Sequence, residues 1–96
     1  MITVEAIQEE VDRIINSKEP GFFTSPVNRG VLHDNLKVVE IESNNINKRV
    51  DWEAEFDLNY QQQKIKINGS GNNINDPRSL AITIVQKAND AIELNK

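Results

Sequence analysis

From Val50 to Tyr60 the chain reads VDWEAEFDLNY, an unbroken alternation of apolar and polar residues. Val50, Trp52, Ala54, Phe56, Leu58 and Tyr60 fall on one side, and Asp51, Glu53, Glu55, Asp57 and Asn59 on the other. Successive side chains of a strand point to opposite faces, so a period of two means a strand with one dry and one wet face. The single Trp and the single Tyr lie on the dry side. Their bulk therefore enters the core from this strand. A lone strand is not stable, so the rest of the chain must supply pairing partners and a layer over the dry face.

Two further stretches qualify as partners. Residues 36–43, LKVVEIES, alternate imperfectly because Val38 and Val39 are adjacent. Val39 and Ile41 are expected inward, which leaves Leu36 and Val38 on the opposite face. Residues 63–68, QKIKIN, form the third strand. Only an even-length connection keeps both apolar rows on one face. Gln61-Gln62 is poor for a tight two-residue turn, which favours a four-residue loop. The expected register sets Leu58 opposite Ile65, Phe56 opposite Ile67 and Asp57 opposite Lys66. Residues 44–49, NNINKR, are a polar turn, and residues 69–75, GSGNNIN, are read as a loop.

The cover comes from two amphipathic helices. Val4, Ile7, Val11, Ile14 and Ile15 recur at helical spacing, with Thr3 as N-cap and Ile2 with Ile7 as a hydrophobic staple. This helix spans about residues 3–16. Asp76-Pro77 announces a second helix to about Leu94, with Leu80, Ala81, Ile84, Val85, Ala88 and Ile92 inward. Between the first helix and the first strand, residues 17–35 show no period and carry Phe22-Phe23. A short strand or helical turn near Val31 is allowed there. The order is α-β-β-β-α. The expected fold is a single α+β domain over residues 1–96, a two-layer sandwich of a three-stranded antiparallel meander with both helices on one face.

Composition narrows the function. Fifteen acids face eleven bases, a net charge of -4. Phosphate binding normally shows as a basic stripe, so this balance argues against nucleic acid as the main partner. The absence of cysteine excludes disulfides and thiolate metal sites. The opening MITVEAIQEEVDR has early acids and no long apolar run, so neither a secretory signal nor a membrane span is expected, and the expected location is the cytoplasm. The abundance of Asn and Ile, with Lys over Arg, suggests an A+T-rich genome such as that of a low-GC bacterium or its phage.

No catalytic constellation emerges. His33-Asp34 could be half of a dyad, but Ser25 and Ser70 have no nucleophile elbow around them. Gly69-Ser70-Gly71 matches neither a P-loop nor a dinucleotide fingerprint. Carboxylates two apart on a strand stand about 7 Å from each other, too far to share an ion. No metal and no cofactor is expected. The row Asp51, Glu53, Glu55 and Asp57 reads first as the solvated half of an antiparallel sheet, and as a field that steers a basic partner if it binds anything.

The α-β-β-β-α order, with Gly69-Ser70-Gly71 after the third strand, resembles the double-stranded-RNA-binding domain. The resemblance is one of topology. In that family the loop between the first two strands carries Gly-Pro-x-His, where this chain has Asn44-Asn45-Ile46-Asn47-Lys48-Arg49. The family's second helix opens on a lysine cluster, where this chain has Asp76-Pro77-Arg78-Ser79-Leu80. The resemblance implies contact with RNA or a nucleoprotein, for which Lys48, Arg49 and Arg78 are the cations at hand.

The sequence expectation is a small non-enzymatic protein-binding module, such as an inhibitor or adaptor of a phage or mobile element. Phe22, Phe23, Leu36 and Val38 are the expected apolar contacts, and Asp51, Glu53, Glu55 and Asp57 the steering charges. An unpaired sheet edge could take a partner strand or form a homodimer. The alternative is a degenerate double-stranded-RNA-binding-like domain using Lys48, Arg49 and Arg78.

Overall fold

A computed structural model describes residues 2–17, 25–44, 46–58, 63–72 and 76–95. Three strands, β1 Lys37–Asn44, β2 Arg49–Leu58 and β3 Gln63–Gly71, form one antiparallel sheet in the order β1-β2-β3. The alternation in β2 is realised in full. Val50, Trp52, Ala54, Phe56 and Leu58 are buried, and Asp51, Glu53 and Asp57 between them are exposed. Tyr60 lies outside the described residues.

β3 differs from expectation in length and in register. Gly69-Ser70-Gly71 is the end of the strand, not the start of a loop. Leu58 pairs with Gln63, Asp57 with Lys64, Phe56 with Ile65 and Ala54 with Ile67, two residues off the expected alignment. The slip is even, so every side chain keeps its face. Its physical cause is visible at Trp52. The observed register sets Gly69 opposite Trp52. A Cβ on residue 69 would stand 2.7 Å from Cζ2 of the indole and 2.9 Å from Cε2. Only glycine leaves room for the ring to lie across the neighbouring strand.

β1 corrects a second expectation. Its pairing with β2 shifts between Val38 and Glu40, a bulge with Val39 as the extra residue. Val38 pairs with Ala54 before the bulge and Ile41 with Trp52 after it. Two residues three apart thus face the same side, as only a bulge permits. Leu36 and Val38 are core residues at 1% and 7% exposure, while Val39 is 49% exposed. Leu36 and Val38 are therefore not surface contacts. Ile41 is partly buried against the core, as expected.

Two carboxamides extend the sheet beyond its backbone ladder. Gln8 donates to the Leu36 carbonyl at 2.9 Å and accepts from the Val38 N–H at 2.7 Å, as a neighbouring strand would. Asn35 does the same to Asp57, donating to its carbonyl at 2.7 Å and accepting from its N–H at 3.1 Å. The first closes part of the free edge of β1. The second continues the pairing of β2 past the start of β1.

The inner face is covered by α1 Val4–Ser17 and α3 Pro77–Leu94, α1 against β1 and α3 against β3. Thr3 caps α1, its hydroxyl accepting from the Ala6 N–H at 3.1 Å, and Ile2 and Ile7 are both buried. Asp76 caps α3 by accepting from the N–H groups of Arg78 and Ser79 and from the Ser79 hydroxyl. The Ser79 hydroxyl is the largest influence holding the Asp76 carboxyl below its ordinary value. The cap's contribution is thus complete above the unfolded carboxylate pKa and is lost as pH falls through the lower folded value.

Of residues 17–35, the described residues 25–32 hold α2 Pro26–Leu32, the helical one of the two options allowed near Val31. Ser25 caps it and Pro26 takes its first position, the same chemistry that marks the start of α3 at Asp76-Pro77. Leu32 is buried. The fully buried Asn28 ties α2 to α3, donating to Asn89 Oδ1 at 2.7 Å and to Glu93 Oε1 at 2.8 Å. The architecture is the expected α+β fold, with α1 and α3 on one face of a three-stranded meander. Among the described residues, no helix is long and apolar enough to cross a membrane.

Candidate functional site on the outer face of the sheet

The face of the sheet opposite the helices divides by charge, and the register decides how. Toward one end, Glu55 pairs across with Lys37 on β1 and with Lys66 on β3, and Asp57 pairs with Lys64. Lys64 Nζ also reaches Glu55 at 3.4 Å. Acid and base alternate across the strands here, the usual neutralised surface of an antiparallel sheet. Toward the other end, Glu40 stands opposite Glu53 and Glu42 opposite Asp51. On β3 their neighbours are Asn68 and Ser70, which carry no charge. The Ser70 hydroxyl donates to Asp51. Four exposed carboxylates thus form a block two strands wide with no cation in register. A shallow depression of about 260 Å³ lies over it, lined by Glu40, Glu42, Asp51, Glu53, Asn68 and Ser70.

The row of four acids expected from the sequence is therefore split. Asp51 and Glu53 belong to the uncompensated block, while Glu55 and Asp57 belong to the neutralised half. Glu40 and Glu42 complete the block and were missed. Their alternation with Ile41 pointed to them, but only the pairing of β1 with β2 reveals what they face. Among the described residues, no three of His, Cys, Asp and Glu are placed to hold a metal ion.

The other candidates are dispersed. Phe22 and Phe23 lie outside the described residues. Leu36 and Val38 are under the helices. His33 Nδ1 lies 3.1 Å from Asp34 Oδ2, with both side chains exposed at the end of α2. Lys48 takes a left-handed φ of 56° in the turn between β1 and β2, and Arg49 begins β2. That turn closes on itself, because Asn44 Oδ1 accepts from the N–H groups of Ile46 and Asn47, and Asn47 Oδ1 from that of Arg49. The guanidinium of Arg78 lies 3.6 Å from Glu10, a contact between α3 and α1.

Comparison of the chain with protein-family models, with curated proteins and with solved structures returns no match.

Proposed function

We propose that this protein is a non-enzymatic binding module whose outer sheet face receives a lysine- or arginine-rich segment of a protein partner. The observation that supports this reading is the opposition of Glu40 to Glu53 and of Glu42 to Asp51. Like charges directly opposite each other destabilise a sheet by a few tenths of a kcal/mol per pair, an order-of-magnitude figure. The same sheet avoids that cost elsewhere with Lys37, Lys64 and Lys66. A cationic segment laid across the block would supply the missing partners. The field of the block would also steer such a segment in from solution.

Amide chemical shifts of the protein titrated with oligolysine at low salt test the reading. Shifts centred on residues 40, 42, 51 and 53 are expected, and Glu40→Gln with Glu42→Gln should weaken binding about tenfold, the equivalent of about 1.4 kcal/mol. Added salt should weaken it too. Shifts spread evenly over all acidic side chains, α1 included, would sink the proposal.

A further inference from the structure

The two edges of the sheet are not equivalent. The edge of β1 is obstructed twice, by the Gln8 carboxamide on Leu36 and Val38 and by the bulge at Val39. Bulges, covered ladder groups and edge lysines are among the devices by which sheets refuse further strands, and of these the lysines still admit a strand that carries acids. The edge of β3 has no bulge, and the ladder group covered on it, the Asn68 carbonyl under Lys87, lies beyond Lys64 and Lys66. Its pairing with β2 runs without a break from Gln63 to Gly71, and among the described residues no strand lies on its other side. Lys87 donates to the Asn68 carbonyl, which marks that carbonyl as pointing away from β2. Backbone groups alternate in direction along a strand, so those of Lys64 and Lys66 point outward as well.

Beside this edge runs a groove of about 510 Å³ between β3 and α3. Ile67 and Ala91 contribute to its floor, and Leu94, 86% exposed, stands at its margin. Lys66 and Lys87 flank it, with Asp90 as the acid among its lining residues. Lys64 continues the lysine row along the strand; Lys64 and Lys66 face acids on their β2 side, so acids on an added strand would extend the same alternation outward. We propose that the β3 edge accepts one extended strand of a partner, with apolar side chains turned into the groove and acidic ones turned to Lys64 and Lys66. Main-chain hydrogen bonds supply the affinity in such an addition, and the alternate side chains supply the choice of partner. The lysines also argue against a second copy of this chain. Antiparallel pairing of β3 with itself through its lysine-bearing half sets lysine against lysine, which is repulsive. This surface contains none of the four carboxylates of the acidic block, so each proposal stands or falls alone.

The test uses two capped peptides, one alternating glutamate with valine and the other lysine with valine, each titrated into the full chain. Binding of the acidic peptide should shift the amides of β3 and the groove-facing half of α3, and slow hydrogen exchange at Lys64 and Lys66. Lys66→Glu should weaken it about tenfold, since one attractive cross-strand pair becomes repulsive. Leu94→Gln, at a side chain too exposed to matter for folding, should weaken it as well. Equal binding of both peptides, shifts along β1, or no binding at saturating peptide would overturn the proposal. Sedimentation showing a dimer joined through β3 would overturn it too, in favour of a second copy.

Discussion

Gly69→Ala is expected to destabilise the protein by about 1–3 kcal/mol, the usual penalty for forcing a methyl group into a packed interior. The expected sign is the informative part. In a strand with open space, Gly→Ala stabilises by roughly 0.5–1 kcal/mol, because the unfolded chain loses freedom. Here the added Cβ would meet the Trp52 ring at 2.7 Å. The indole has nowhere simple to go, since Trp52 is 2% exposed with Lys87 Nζ 5.7 Å from its ring centroid. In a Trp52→Leu background the clash disappears, and Gly69→Ala should become neutral or stabilising. Urea unfolding of the two single variants and the double variant gives the coupling directly, expected at about 2 kcal/mol. A neutral Gly69→Ala in the parent chain would mean that the ring does not occupy this position and that the register of β3 is set by something else.

Leu36→Ala should cost about 2–5 kcal/mol, as for a fully buried leucine. Val39→Ala should change stability by no more than about 0.5 kcal/mol, as for an exposed position. For a domain of this size each kcal/mol shifts Tm by roughly 4–8 °C, so melting curves separate the two variants easily. Without the bulge the order would be reversed, with Val39 inside and Leu36 outside. A costly Val39→Ala beside a harmless Leu36→Ala would therefore remove the bulge from the account.

These two sites also mark where local sequence pattern stops being sufficient. β2 was legible because its alternation is unbroken from Val50 to Leu58, and α3 because Asp76-Pro77 fixes its start and its apolar residues keep one helical face. The face of β1 was not legible, since Val38-Val39 fits either phase and the bulge depends on pairing with β2. Gly69 reads locally as a turn residue. Its role as the floor beneath Trp52 arises from a partner seventeen positions earlier in the chain. α2 was legible in principle, because Ser25-Pro26 carries the same start signal as Asp76-Pro77. The pattern left it open between a short strand and a helical turn near Val31, because seven residues are too few to establish a helical period. Half of the acidic block was visible as Asp51 and Glu53. That they remain uncompensated, while Glu55 and Asp57 do not, is a property of register alone.

On the proposed reading, the block of Glu40, Glu42, Asp51 and Glu53 is held at a cost to the fold that a cationic partner relieves. Urea unfolding of Glu40→Lys and of Glu42→Lys, at low and at high salt, tests it most directly. Each substitution turns a repulsive cross-strand pair into an attractive one and should stabilise the protein by about 0.5–1 kcal/mol at low salt. The gain should shrink as salt screens the charges. Unchanged or lower stability at low salt would mean that the acids are fully at ease in water, and the binding reading would lose its ground.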